Sequence, residues 1–340
     1  MTKNDFLLVD LGLQGGGAHG AFTWGVLDRL LEEPWLKFDG ISGTSAGAMN
    51  AAVMAGGLAE GGPEQARVAL ERFWKRVSDT AMLSPLQRGP LEALTGRWTL
   101  DYSPAFLAFD IAARVLSPYD VNPRRLNPLR SILADCVDFK RLVRAPTKLF
   151  VTATNVRTGR ARVFRNADLT PDVLLASACL PTLFPAVEID GEAYWDGGYS
   201  GNPSMAPLIR EATSQDTILV QINPVERPGT PRTAREIQNR INEVAFNATL
   251  IKELRTAAYL RHVADPGTSE GAVWAKMRIH RIASDVMLKL GYSSKMLAEW
   301  TFFCMLRNEG RRAASAFLKK HAADLGVRST LNLDAYLEGV

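Results

Sequence analysis

Two successive strand–turn–helix units near the start of the chain constrain the fold more than any other feature. An apolar run at residues 6–13 leads through the glycine-rich turn QGGGAHG, residues 14–20, into a helical pattern. A second short apolar run at residues 38–41 leads through SGTSAG into a helical segment of small residues. Alternation of strands and helices is typical of a parallel sheet covered by its crossover helices. The sequence therefore predicts an α/β fold with a mainly parallel central sheet.

The remaining elements follow from apolar patterns and turn residues. Further strand patterns lie at residues 148–155, in a hairpin at 187–195, at 217–222 and around 277–282. Three prolines at residues 223–233 indicate a linker, and the capping box of Thr233 and Glu236 begins a helix after it. One apolar helical face follows, formed by Ile237, Ile241, Val244, Leu250, Ile251 and Leu254. Two helices, at 293–308 and 311–325, are predicted to close the chain.

These elements divide the chain into two predicted parts. Residues 5–225 are predicted to form the first and larger domain, and residues 232–340 a mainly helical extension that packs on it. Within the first part, prolines interrupt apolar and aromatic residues from 83 to 128, which indicates a cap over the sheet. The cap is either a hydrophobic lid or acyl-binding wall, or an insertion without function.

Charge and cysteine content exclude several classes of protein. The net charge of +4 comes without a long basic run, so nucleic-acid binding is not indicated. That charge is compatible with weak attraction to an anionic membrane surface. The first residues lack a signal-peptide apolar region, and no apolar run reaches the roughly 18 residues of a membrane span. Cys136, Cys179 and Cys304 are far apart, which predicts reduced thiols and a cytoplasmic protein without a metal site.

The glycine-rich turn is compatible with two kinds of anion. Its spacing, Gly15-x-Gly17-x-x-Gly20, matches the fingerprint of dinucleotide-binding proteins, and Asp39 lies close to the expected ribose-binding position. A P-loop is excluded because no Gly-Lys-Ser/Thr closes the turn. Alternatively, the amides of the turn face the oxyanion of an ester under attack.

The second turn favours the ester. Residues 43–47, GTSAG, match the nucleophile elbow G-x-S-x-G in its required context of strand, sharp turn and helix. Gly43 and Gly47 relieve crowding around Ser45, which stands at the beginning of a helix. Parallel strands bring both turns to the same edge of the sheet. The glycine turn is therefore predicted to supply amides for an oxyanion rather than for a pyrophosphate.

An aspartate is the first candidate for the base that activates Ser45. Asp196, followed by Gly197 and Gly198, ends the predicted hairpin, and a carboxylate there could accept the serine proton. It could also be an ordinary turn residue. A histidine triad remains the alternative, although the three downstream histidines lie in helical or strand patterns: His262, His280 and His321.

Together these motifs resemble the bacterial branch of the patatin-like phospholipases. GGGAHG, GTSAG and DGG stand in the order of that family, and ASACLPTLFPAVEIDGEAYWDGG resembles the segment that leads to its aspartate. The resemblance covers roughly residues 7–207. It implies a three-layer α/β/α sandwich and lipid acyl hydrolysis by a Ser-Asp dyad without metal or cofactor. It makes Ser45 the nucleophile and Asp196 the base, with an oxyanion hole lined by Gly15, Gly16 and Gly17.

Two positions within the resemblance add detail. Asn202 resembles the asparagine often found after the Asp-Gly-Gly turn, where it would give a supporting contact. His19 departs from the family, whose members commonly carry Arg or Lys there. Since a histidine is mostly neutral at pH 7, phospholipid and simple-ester preference both stay open. His19 as the base is a further alternative.

The sequence leaves other functions to be tested. A Ser-His-Asp esterase, a lipid-binding protein with an inert elbow and a nucleotide-dependent oxidoreductase are the alternatives to a serine lipid acyl hydrolase. The expected partners are a lipid or ester substrate and a lipid surface, and a homo-oligomer stays open. In the last helices, packing is favoured over an exposed apolar patch for Trp300, Phe302, Phe303 and Met305.

Overall fold

A mixed, mostly parallel sheet forms the centre of the computed structural model, which describes residues 6–82, 84–263 and 269–338. Within these ranges the strands are β1 Leu7–Leu13, β2 Leu36–Gly43, β3 Lys148–Asn155, β4 Ala161–Arg165, β5 Val187–Ile189, β6 Glu192–Asp196, β7 Asp216–Val220 and β8 Arg278–Ile282. Their order is β5-β6-β3-β2-β1-β7-β8, and β4 pairs with β3. β3, β2, β1, β7 and β8 run parallel, whereas β4, β5 and β6 join by antiparallel pairing.

The helices in the same ranges are α1 Gly20–Leu30, α2 Ala46–Ala81, α3 Pro90–Leu94, α4 Pro104–Val115, α5 Pro118–Val121, α6 Leu129–Cys136, α7 Phe139–Leu142, α8 Pro171–Ser177, α9 Ala206–Glu211, α10 Ala234–Val263, α11 Ser269–Lys276 and α12 Trp300–His321. None of them combines the length and the apolar character that crossing a bilayer requires.

The helices cover both faces of the sheet. On one face, Val9, Leu11 and Leu13 of β1 pack against α1, α2, α8 and α12. On the other, Leu219 of β7 and Ile279 of β8 pack against α9, α10 and α11. Side chains alternate between the two faces because successive residues of a strand point in opposite directions. The predicted three-layer α/β/α sandwich with a mainly parallel sheet is confirmed.

The C-terminal helices differ from the prediction. One continuous helix, α12, replaces the two expected at 293–308 and 311–325, and residues Tyr292–Met296 form a 3₁₀ turn before it. Gly310 lies inside α12, where the absence of a side chain lets that helix approach α1. A Cβ at Gly310 would overlap the backbone oxygen of Phe22, and one at Gly25 would overlap that of Arg307.

The predicted two-part division runs through closely packed elements. β8 extends the sheet beside β7, and α12 packs along α1, so contacts cross the division on both sides of the sheet. Phe302 and Phe303 are buried, and Trp300 and Met305 are partly buried against the same core. The division itself stays a prediction; residues 5, 83, 264–268, 339 and 340, which it includes, lie outside the described residues.

Exposed apolar side chains concentrate on the cap and on α10. The cap contains three short helices, and Leu107, Ile111 and Val115 form an exposed stripe on α4. The predicted apolar face of α10 is buried only at Leu250 and Leu254 in its second half, whereas its first half is exposed at Ile237, Ile241 and Val244. The capping box that begins α10 is confirmed by reciprocal hydrogen bonds of Thr233 and Glu236.

We expect Gly310→Ala to lower the free energy of unfolding by about 1–3 kcal/mol, because the added methyl would force α1 and α12 apart. Gly56→Ala is the matched control, since Gly56 also lies in a helix but its Cβ would meet no atom within 4 Å. That change should be neutral or stabilise by about 0.5–1 kcal/mol. Urea denaturation of both variants measures the difference, and equal stabilities would contradict the close approach.

Candidate active site

Ser45 occupies a strained turn between β2 and α2. Its φ of 54° and ψ of −123° are a backbone conformation that residues other than glycine rarely adopt. Gly43 and Gly47 pack against each other, and a Cβ at Gly47 would collide with the carbonyl oxygen of Leu13. The turn therefore has the form of a nucleophile elbow, packed directly on the end of β1.

Hydrogen bonds fix this turn from two sides. The Ser45 amide donates to Ser177 Oγ at 2.9 Å, and that hydroxyl donates to the Thr152 carbonyl at 2.6 Å. Thr44 Oγ1 donates to the Gly201 carbonyl at 2.6 Å. The Ser45 amide is therefore already committed, and the residue is only 7% exposed.

Asp196 ends β6 and meets Ser45 from the other side. Its carboxyl group accepts a hydrogen bond from the Gly198 amide at 2.7 Å, and it lies close enough to the Ser45 hydroxyl for that group to lower its pKa. Its own amide donates to the Cys179 carbonyl at 2.8 Å. Gly197 passes so close to the Thr152 carbonyl that a side chain there would collide with it. Two chain segments far apart in sequence thus bring one hydroxyl and one carboxylate together.

Burial changes the acidity of this carboxyl group. Asp196 is 1% exposed, and burial raises its pKa to about 7. Hydrogen bonds from Gly198 and Ser45 and the positive charge of Lys295 act in the opposite direction. A carboxyl group with such a pKa can both accept and release a proton near neutral pH.

The glycine turn lies directly beside Ser45. A Cβ at Gly15 would stand 2.7 Å from that of Ser45, so the two turns touch without space for a side chain. The Gly15 amide donates to Asn202 Oδ1 at 2.7 Å. Among the described residues, the Gly16 and Gly17 amides have no acceptor. The free donors of this turn therefore include the amides of Gly16 and Gly17.

Asn202 links three segments from a fully buried position. While its Oδ1 accepts from Gly15, its Nδ2 donates to the Phe246 carbonyl on α10 at 3.0 Å. Gln14 Nε2 donates to the Asn202 carbonyl at 3.4 Å. The asparagine thereby holds the glycine turn in position, which is a supporting contact of the predicted kind.

His19 is buried, and its imidazole contacts the segment before α12. Its Nε2 lies 2.8 Å from Ser294 Oγ. Burial, reinforced by the Lys295 charge, holds the pKa of His19 well below its ordinary value, so the imidazole is neutral at pH 7. The other imidazoles have partners elsewhere: His262 with Asp334, His280 with Asp216 and His321 with Asp324.

Asp39 does not lie where a ribose-binding carboxylate would be needed. It bonds to Lys148 at the beginning of β3 and to Thr213 just before β7, whereas the glycine turn follows the end of β1. These contacts place Asp39 near the beginnings of β3 and β7, away from the end of β1 that the glycine turn follows. In the part of the chain that the structure describes, no group of three or more His, Cys, Asp or Glu side chains could hold a metal ion.

Sequence reasoning missed two residues beside the glycine turn. Asn223 follows β7, and its Nδ2 donates to the Gly15 carbonyl at 2.8 Å. Lys295 comes from the 3₁₀ turn before α12, and its ammonium donates to Asn223 Oδ1 at 2.8 Å. Both lie outside the motifs and far from them in the chain, so no local pattern could have identified them.

Comparison with known proteins gives one family and several distant structures. A comparison with curated proteins finds no match. VipD from Legionella pneumophila is 16% identical, with a TM-score of 0.41 over 93% of this chain and 67% of that chain. A chain of the ExoU–SpcU complex from the type III secretion system of Pseudomonas aeruginosa is 18% identical, with a TM-score of 0.31 over 95% and 61%.

The sequence model of the patatin-like phospholipases matches residues 11–209. This range is more than half of the 340-residue chain and contains the glycine turn, Ser45 and Asp196. The predicted resemblance is confirmed: the chain belongs to the patatin-like phospholipase family and is an ester-hydrolysing enzyme, a lipid acyl hydrolase.

Proposed function

We propose that this enzyme cleaves carboxyl esters of lipids with Ser45 as the nucleophile and Asp196 as the base. The observation that carries the proposal is that the turn after Asp196 packs on the strained elbow of Ser45: a Cβ at Gly197 would stand 3.0 Å from the Thr44 methyl group, and the Ser45 hydroxyl lowers the pKa of Asp196. All four imidazoles are bonded elsewhere, which favours a dyad over a histidine triad.

In the first half of the reaction, Ser45 Oγ attacks the ester carbonyl carbon while its proton moves to Asp196. The tetrahedral intermediate collapses, the bond to the alcohol oxygen breaks, and Asp196 returns the proton to that oxygen. In the second half, Asp196 takes a proton from water, which attacks the acyl-enzyme and releases the carboxylic acid. The proton then returns to Ser45, so no cofactor is consumed.

The negative charge on the intermediate needs donors that are free before the reaction. We assign this role to the Gly16 and Gly17 amides, which have no acceptor within the described ranges. Gly15 lines the same turn, but its amide is committed to Asn202. The helix that begins at Ala46 adds the positive end of its dipole beside Ser45.

We further propose that the exposed apolar surface of the cap contacts the lipid surface. Leu107, Ile111 and Val115 point to solvent, so they do not form a buried acyl-binding wall. The cap nevertheless reaches the neighbourhood of the site: Thr99 Oγ1 lies 3.1 Å from Ser293 Oγ, in the 3₁₀ turn Tyr292–Met296 that contacts the glycine turn.

We expect Ser45→Ala and Asp196→Asn each to lower kcat/KM on a short ester by about 10³-fold or more, because each removes one half of the proton path. His19→Asn, His262→Asn, His280→Asn and His321→Asn should keep substantial turnover. Circular dichroism must show that all six variants fold. A folded, active Asp196→Asn enzyme beside an inactive histidine variant would replace the dyad with a triad.

The pH dependence follows from the raised pKa of Asp196, which is about 7. Below that pH the carboxyl group is protonated and cannot accept the serine proton. We therefore expect kcat/KM on a short ester to fall as the pH drops below about 7. The same acidic limb should persist in His19→Asn, which separates it from a histidine titration. A flat profile from pH 5 to 8 in folded enzyme would contradict Asp196 as the base.

The cap can be tested with Ile111→Ser and Val115→Ser, which are exposed by 64% and 77%. Each of these side chains would be buried in the lipid when the cap binds a vesicle. Its loss should therefore weaken vesicle binding by about tenfold per substitution. Short-ester turnover should not change. Val327→Ser, at a site that is 72% exposed and outside the cap, is the matched control. Flotation with phosphatidylglycerol-containing vesicles measures binding, and equal flotation of all variants would exclude this contact.

A further inference from the structure

Lys295 stands beside the glycine turn although it belongs to the C-terminal region. The 3₁₀ turn Tyr292–Met296 packs so closely on the glycine turn that a Cβ at Gly17 would collide with the Lys295 backbone oxygen. The neighbouring Ser294 Oγ lies 2.8 Å from His19 Nε2. This short segment therefore covers the glycine turn at Gly17 and His19.

The Lys295 ammonium orients one asparagine on that turn. It donates to Asn223 Oδ1 at 2.8 Å and to Asn242 Oδ1 at 2.6 Å. An ammonium group has donors only, so it can face only the oxygen of a side-chain amide. The Asn223 Nδ2 is thereby directed to the Gly15 carbonyl at 2.8 Å. Lys295 thus fixes the direction of an amide that holds the glycine turn.

The charge of Lys295 is not neutralised by a direct ion pair with a described residue. Glu243 on α10 is the acidic residue that acts on it most strongly. That carboxylate is committed to Arg227 at 2.7 Å and Arg240 at 3.3 Å. The positive charge is therefore left to act on the two other titratable groups that face it, His19 and Asp196.

Among the described residues, Lys295 is the cation that acts on the Asp196 carboxyl group. Three titratable side chains among the described residues interact electrostatically with the Asp196 carboxyl group. They are Lys295, Cys179 and Tyr199. Burial raises the pKa of the Cys179 thiol and of the Tyr199 hydroxyl to about 12 each, so both are neutral at pH 7. Lys295 alone in this set carries a charge that favours the Asp196 carboxylate.

We infer that Lys295 is a positioning residue of this hydrolase: it directs Asn223 onto the glycine turn and places a positive charge beside Asp196 and the oxyanion donors. The inference rests on the proposed Ser45–Asp196 dyad. It makes the C-terminal region part of the active site, because the catalytic motifs contain no other cation at this place. Lys295 acts through Asn223 and through its charge, without taking part in proton transfer.

Three substitutions separate the two contributions. Lys295→Met removes the charge and the donors, Lys295→Gln keeps a donor without the charge, and Lys295→Arg keeps both. The matched control is Lys252→Met, because Lys252 is exposed on α10. The measurement is kcat and KM on p-nitrophenyl butyrate from pH 5 to 10, with circular dichroism at each pH.

Without the charge, the Asp196 carboxylate loses its favourable interaction, so the acidic limb should move up by about one pH unit in the Met and Gln variants. The Met variant should also lose about tenfold or more in kcat, because the glycine turn is no longer held. KM should change little, and Lys252→Met should match the wild type in every respect. Folded Met and Gln variants with an unmoved acidic limb would overturn the inference.

The Arg variant keeps the test decisive if the neutral variants do not fold. Burial lowers the pKa of Lys295 to about 8, so the wild type should lose activity above that pH as the ammonium is neutralised. A guanidinium stays protonated there, so Lys295→Arg should keep the acidic limb and lose the alkaline one. An alkaline limb that stays near pH 8 in this variant would also overturn the inference.

Ser45→Ala and Asp196→Asn in the same assay separate this inference from the proposed function. If both are inactive while the Lys295 variants behave as the wild type, the dyad stands and the inference about Lys295 fails alone. If either retains near-normal turnover, the proposed dyad fails, and the inference fails with it.

Discussion

The direct contact between two glycine-rich turns is the constraint on which this active site depends. The backbones of Gly15 and Ser45 are in direct contact. If they moved apart, the free amides of the glycine turn would move away from Ser45, the proposed nucleophile. The approach is possible because β1 and β2 are parallel neighbours whose turns leave the sheet at one edge. The sheet thus converts two local sequence motifs into one site.

A set of buried side-chain amides maintains that contact. Gln14 Oε1 accepts from the amides of Ile222 and Asn223 at 3.0 Å each, so the start of the glycine turn is tied to the chain after β7. Asn202 and Asn223 then hold the Gly15 amide and carbonyl from opposite directions. A buried amide group is tolerated only with its hydrogen bonds made, and here these bonds position the backbone that faces the substrate.

The parts of this structure that could be predicted from the sequence are those that local chemistry determines. The turns that carry Ser45 and Asp196 could be recognised because glycines and turn residues surround each of them within a few positions; their catalytic roles stay a prediction. The single helix α12 was not predicted, and the close approach of Gly310 to α1 is visible only in the folded structure. The sequence likewise could not show that Ile237 is exposed, because helical spacing identifies an apolar face but not what covers it. Lys295 reaches the site only through packing of the C-terminal region, which no motif records.

The burial of Asp196 reconciles two requirements that oppose each other. A carboxylate in water is too weak a base to take a serine proton effectively, and burial makes it a stronger one by raising its pKa. The same burial favours the protonated form, which cannot act as a base at all. Hydrogen bonds from Gly198 and Ser45 and the charge of Lys295 limit that rise, so that the pKa stops at about 7. The neutral His19 fits this balance, because a second full charge beside Lys295 would meet repulsion in the same buried space. The contacts with Gly198 and Ser45, together with one cation held by asparagines rather than by a carboxylate, therefore keep the pKa of this proposed base near neutral pH.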